Sequence, residues 1–232
     1  SVNGNIGGFY AALPARYDST TKDYPLLIFC HGVGELGNGS ASSLVTVLRN
    51  GPPRLINAGT FPPAFTVNGH SFSFIVLSPQ FKNWPGADDI NQLITYAIAH
   101  YRVDTMRIYL TGLSMGGGVT WDYGGSNKYD AKRVAAILPV CGAASPTRQK
   151  ADTMAAVNLP VWALHNQNDP TVSSSNSVNF VSYINAATPI PDPAARLTIF
   201  PVSGHDAWSK AYDPAYTENG MNVYQWMLQY HR

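Results

Sequence analysis

The chain has 232 residues, 45% of them hydrophobic and spread along its whole length, which suits one α/β domain with a full-sized core and excludes a disordered or low-complexity architecture. Its formal net charge is +1 and only 12% of residues are charged, about half the usual share, so it carries no electrostatic footprint for nucleic acid or an anionic membrane. No apolar run reaches the roughly 18 residues that a membrane helix needs, and a neutral or polar partner is expected.

Polarity is supplied instead by Ser, Thr, Asn, Gln, Tyr and Gly, a composition that points to a secreted or periplasmic protein, and the start at Ser1-Val2-Asn3-Gly4 reads as a mature or trimmed chain. The two cysteines, Cys30 and Cys141, sit inside apolar runs and read as buried free thiols.

In chain order, Gly8 to Pro14 reads as an early strand ended by proline and Ala15 to Tyr24 as a polar connection. Pro25-Leu26-Leu27-Ile28-Phe29-Cys30 is a continuous apolar run, the pattern of a parallel strand buried on both faces. It empties into His31-Gly32-Val33-Gly34-Glu35-Leu36-Gly37, with a helix expected around Ser42 to Arg49. Gly32, Gly34 and Gly37 match Gly-x-Gly-x-x-Gly, but a dinucleotide site would need an acid about 20 residues on, and none occurs between Glu35 and Asp88. The glycines are better used to let backbone N–H groups face a reacting carbonyl.

Gly51 to Phe72, rich in Pro, Gly and Asn, reads as a long irregular connection. Ser73 to Ser78 is the next buried strand and Pro79 to Pro85 a loop at the same end of the sheet. From Asp88, the spacing of Ile90, Leu93, Ile94, Ala97, Ile98 and Tyr101 predicts an amphipathic helix. Val103 to Leu110, Val134 to Cys141, Leu159 to His165 and Ala195 to Pro201 read as further strands. Ser174 to Asn185 has helical spacing, and Val223, Trp226, Met227 and Tyr230 give the last helix its apolar face. This alternation predicts a single α/β domain over residues 1–232, a mostly parallel central sheet with helices on both faces.

In such sheets the chemistry gathers at the carboxyl ends of the strands. The strand ending at Leu110 runs into Gly112-Leu113-Ser114-Met115-Gly116, which fits Gly-x-Ser-x-Gly between a strand and a helix. The flanking glycines are needed because side chains two residues from a serine in so sharp a turn would collide with the strand or helix. Ser114 is therefore the expected nucleophile, and it needs a base. Of six histidines, His205 follows the last strand; His31, His70, His100 and His231 read as structural or exposed, and His165 precedes the best acid. Asp169 is the acid that closely follows a buried strand, whereas Asp122, Asp130, Asp152 and Asp192 fall in a helix, polar stretches and a Pro-rich connection, and Asp206 reads as a local structural group. Oxyanion donors are expected from the backbone of Met115 and of Val33, with Gly34 next.

His31 to Glu35, Ser78-Pro79-Gln80, Gly112 to Gly117, Asp169 and Gly204-His205-Asp206-Ala207-Trp208 together resemble the compact α/β-hydrolases of an esterase group related to polyhydroxybutyrate depolymerases, feruloyl and acetylxylan esterases and predicted peptidases. The resemblance covers nearly the whole chain; it departs at Asn166, where such proteins often have glycine after the histidine. It implies the α/β-hydrolase fold and a strand order that sets Cys30 and Cys141 about 9 to 10 Å apart, beyond disulfide reach.

The expected chemistry is hydrolysis of a small or polymeric ester, of a plant cell-wall polysaccharide or a polyester, through a Ser114-His205-Asp169 triad and an acyl-enzyme. The alternatives are a serine peptidase using the same residues and a catalytically silent binding protein on the same fold. No His-Glu-x-x-His or other ligand cluster implies a metal or cofactor. The connection between Cys141 and Pro160 leaves no room for a lid domain, and Trp84 and Trp208 are the expected aromatic walls of an open substrate site.

Overall fold

The apolar runs form the middle of one seven-stranded sheet in the computed structural model, which describes residues 1–232. Its strands are β1 (Ile6–Ala12), β2 (Tyr24–Cys30), β5 (Ile75–Phe81), β6 (Val103–Leu113), β7 (Ala136–Val140), β8 (Trp162–Asn168) and β9 (Arg196–Ser203); β3 (Phe65–Val67) and β4 (His70–Phe72) pair in a separate hairpin. The order is β1-β5-β2-β6-β7-β8-β9, with β1 antiparallel to β5 and every other pairing parallel. Between the strands come α1 (Ala41–Leu44), α2 (Gly51–Asn57), α3 (Ala87–His100), α4 (Met115–Ser126), α5 (Lys128–Arg133), α6 (Arg148–Ala155) and α7 (Ser175–Asn185), and after β9 follow α8 (Trp208–Ala211) and α9 (Val223–Leu228).

The strand period of two divides the core between the two faces of the sheet. Leu26, Ile28 and Cys30 of β2 pack with Ile90, Leu93 and Ile94 of α3 and Phe180 of α7, whereas Leu27 and Phe29 pack with Tyr212 and with Tyr224 and Met227 of α9. Each such side chain contributes about 1.5–3 kcal/mol by burial. Helix α4 is buried on nearly every side, which is why its sequence carries no amphipathic pattern.

Three sequence expectations need correction. The stretch 51–72 is not irregular throughout: α2 begins at Gly51-Pro52-Pro53, and the β3–β4 hairpin turns on Asn68 (φ 50°) and Gly69 (φ 78°), an Asn-Gly pair suited to a two-residue turn. The expected loop 79–81 continues β5, because Pro79 lies past Leu77, the last β5 residue paired to β2, and its missing N–H removes no bond of that ladder. The expected helix at 42–49 is split into α1 and a tighter helical turn, Val45–Arg49.

Candidate active site

Ser114 sits between β6 and α4 with φ 52° and ψ −114°, a conformation that costs a non-glycine residue on the order of 1–3 kcal/mol. The surroundings over-determine it: Ser114 N–H donates to Val140 O at 3.0 Å, and its carbonyl accepts from Gly118 N–H at 2.8 Å and Ala143 N–H at 2.9 Å. The glycines around it exist for close backbone approach. A Cβ on Gly116 would lie 2.0 Å from Cys30 O, one on Gly117 2.6 Å from Val140 O and one on Gly118 2.5 Å from Ala143 O. The start of α4 is thereby seated against the ends of both β2 and β7.

From that turn Ser114 Oγ–H donates to His205 Nε2 at 2.8 Å, and His205 Nδ1–H donates to Asp169 Oδ2 at 2.6 Å. The carboxylate acceptor sets the imidazole tautomer, leaving Nε2 free to take the serine proton. His205 follows β9 and Asp169 follows β8, so the structure brings together the three side chains that the sequence singled out. Asp169 Oδ1 also accepts from the amides of Thr171 at 2.8 Å and Val172 at 3.0 Å. Burial pushes its carboxyl up, but the bonds from His205, Val172 and Thr171 outweigh this and hold it below the usual carboxylate value, ionised.

His165, which competed for the role of base, lies on the other side of the acid. Its Nδ1 meets Ser177 Oγ at 2.8 Å and its Nε2–H donates to Val172 O at 2.9 Å, with Asp169 Oδ2 at 3.3 Å. Burial lowers its pKa, so it is a neutral donor that orders the acid loop. Asn166, the departure from the related proteins, donates from Nδ2 to Gly204 O at 2.9 Å, while Gly204 N–H donates to Asn168 O at 3.2 Å. Consecutive residues of β8 thus tie down the acid loop, through His165, and the base loop, through Asn166. A glycine at 166 could not reach across.

Val33 and Met115 are each the first residue of a helical turn, Val33–Glu35 and α4, so neither N–H has an acceptor within its own helix. A Cβ on Gly32 would stand 3.7 Å from Ser114 Cβ, which sets the glycine loop directly beside the nucleophile. That loop is fixed from behind by His31, buried and held as a neutral ring, whose Nε2 accepts from Phe81 N–H at 3.0 Å. It is also fixed by Gln80, fully buried, whose Nε2 donates to Glu35 O at 2.9 Å and whose Oε1 accepts from Gly39 N–H at 3.0 Å. The Ser-Pro-Gln segment was legible as a motif; its task was not.

Asp206 caps the start of α8 through Ser209 N–H and Oγ–H, at 2.8 and 2.7 Å, and stays out of the triad. Both cysteines are free and buried. Cys141 Sγ lies behind the triad, within 4.8 Å of ligand atoms of Asp169 and His205, and burial raises its pKa so that it remains a thiol. Trp208 stands edge-to-face with the His205 ring, centroids 5.3 Å apart. Trp84 is 53% exposed on the loop after β5 and makes no hydrogen bond or aromatic pair with any of these residues.

Residues 17–217 match the family model described as phospholipase/carboxylesterase. Among solved structures, the chain is similar to a thermostable esterase (22% identity, TM-score 0.64, 97% of this chain and 59% of that one). It is also similar to a mutant of the feruloyl esterase module from Clostridium thermocellum complexed with sinapinate (19%, 0.58, 88% and 80%) and to a Mycobacterium tuberculosis puromycin-hydrolyzing peptidase (15%, 0.58, 87% and 35%). At these identities the likeness is one of fold, that of the α/β-hydrolases, and the chain spans 59% of the length of the thermostable esterase. No curated protein matches the chain.

Proposed function

Because the chain belongs to the phospholipase/carboxylesterase family, we propose that it hydrolyses carboxylic esters through an acyl-enzyme on Ser114. The observation that carries this reading is the unbroken run of hydrogen bonds from Ser114 Oγ through His205 to a buried, ionised Asp169. Ser114 Oγ attacks the ester carbonyl as its proton passes to His205 Nε2. The negative charge that develops on the carbonyl oxygen is met by the amides of Val33 and Met115, each worth roughly 100 to 1,000-fold in rate. Collapse of the tetrahedral adduct breaks the bond to the alcohol, which leaves with the proton from His205. Water then gives a proton to His205, attacks the acyl carbon and releases the acid, restoring Ser114. Asp169 stays ionised and holds the imidazolium in place at each step.

For the substrate we favour esters of plant cell-wall polysaccharides, with a polyester as the second class. This is supported by the likeness in fold to a feruloyl esterase module and by the Trp208 ring standing against the His205 imidazole, an aromatic surface on which an aryl or sugar group can stack. The low charged fraction fits an exported enzyme acting on neutral material. The test is a hydrolysis panel of short aryl esters, feruloyl esters, acetylated xylan, polyhydroxybutyrate and matched amides, with Ser114→Ala as the blank. Turnover of a feruloyl or acetyl ester that disappears in the variant is expected. Amide turnover exceeding ester turnover would replace this reading with that of a peptidase.

A further inference from the structure

Asn50 is released from the task its position would ordinarily give it. It is the N-cap of α2, where an asparagine side chain accepts from the N–H of the second or third helical residue. Those residues are Pro52 and Pro53, which have no N–H, and the Asn50 side chain makes no cap bond. It reaches instead in two directions. Nδ2 donates to Glu35 Oε1 at 2.6 Å, and Oδ1 accepts from Trp208 Nε1–H at 3.0 Å.

The two ends of this bridge belong to different parts of the site. Glu35 closes the turn that presents the Val33 amide; it is 6% exposed, and its other oxygen lies 3.3 Å from where a Cβ on Gly32 would be. Trp208 opens α8 just after the base, and its ring stands against the His205 imidazole. Asn50 is the one residue hydrogen-bonded to both loops.

We infer that Asn50 is a positioning residue whose bridge from Glu35 to Trp208 fixes the oxyanion loop and the base at a set distance across the cleft. Catalysis by Ser114 needs both at once, since the amides must meet the oxyanion while Nε2 meets the serine proton, and an error of about 1 Å in such a geometry costs on the order of a hundredfold. The inference deepens the esterase reading and rests on it. It also changes the part given to Trp208: its N–H is engaged by Asn50, and only its ring faces substrate.

The test is a double-mutant cycle of Asn50→Ala and Trp208→Phe, the second keeping a ring but losing the donor, on a small aryl acetate with Ser114→Ala as the blank. Each single variant is expected to lower kcat about tenfold with KM within about twofold, and the double to be no slower than the worse single, because both break one bridge. Wild-type kcat in folded Asn50→Ala, losses that multiply to about a hundredfold, or a rise in KM alone would each overturn the inference. Hydrogen exchange separates its failure from that of the esterase reading. Asn50→Ala should speed exchange in both 32–35 and 204–208; unchanged exchange would overturn the bridge whatever the activity. Faster exchange beside a wild type with no Ser114-dependent turnover would leave the bridge standing and remove the esterase reading.

Discussion

Val33 contributes an amide and not a side chain, so the informative substitution removes the N–H alone. Proline fits the first position of the Val33–Glu35 turn, where φ is already helical and the preceding Gly32 is extended (ψ 175°). Val33→Pro should therefore fold normally and lower kcat by roughly 100 to 1,000-fold, checked by steady-state kinetics beside a thermal melt. His31 predicts a pH dependence of stability. Burial, partly opposed by its bond to Gly32, lowers its pKa from 6.5 to about 4, so between those values the unfolded chain binds a proton that the folded chain refuses. Stability should fall as pH drops through that window, by up to about 1.4 kcal/mol per pH unit, and His165 acts in the same direction. The Asp169 contribution, from a depressed carboxylate, is present above the ordinary carboxylate value and is lost only as pH falls through its lower folded value. Urea unfolding at stepped pH measures this, and His31→Gln should flatten the slope. Ser114, His205 and Asp169 were legible because nucleophile, base and acid chemistry admits few residue types at strand ends. The tasks of Asn50 and Gln80 were not, because a hydrogen bond between residues 15 to 45 positions apart, or across 158, leaves no local pattern.

At the scale of elements, the site depends on how closely α4 approaches its neighbours. Gly116→Ala would bring a Cβ to 2.0 Å from the carbonyl of Cys30, part of a central strand that cannot yield like a side chain. A loss of about 3 kcal/mol is expected, read as a lower urea midpoint, together with reduced turnover at temperatures where the variant is still folded. The buried strands β2, β6 and β7 and helix α3 were readable because continuous apolar runs and 3.6-residue spacing are direct imprints of burial. Helix α2 was missed because Gly51, Pro52 and Pro53 read as breakers although prolines suit a helix start, and β5 was cut short because Pro79 ends a strand only where its N–H is needed. The Asn68-Gly69 pair was the available sign of the hairpin.

Across the whole molecule, the parallel order of β2, β6, β7, β8 and β9 delivers the glycine loop, Ser114, Cys141, Asp169 and His205 to one end of the sheet. Strand alternation had foretold that gathering, while the exact partners of each loop came from packing. No helix is long and apolar enough to cross a membrane, and the net charge is +1 with only 12% of residues charged. For a neutral aryl ester, kcat/KM should accordingly change less than about twofold between low and high salt, measured in a sodium chloride series. The proposed chemistry requires Ser114 to be a nucleophile activated by its neighbours in the folded protein. Intact-protein mass spectrometry after treatment with a fluorophosphonate tests this most directly: one adduct, mapped to Ser114, lost in Ser114→Ala and strongly slowed in His205→Ala, is the predicted result. A folded wild type that stays unmodified, or an adduct that persists in Ser114→Ala, would contradict it.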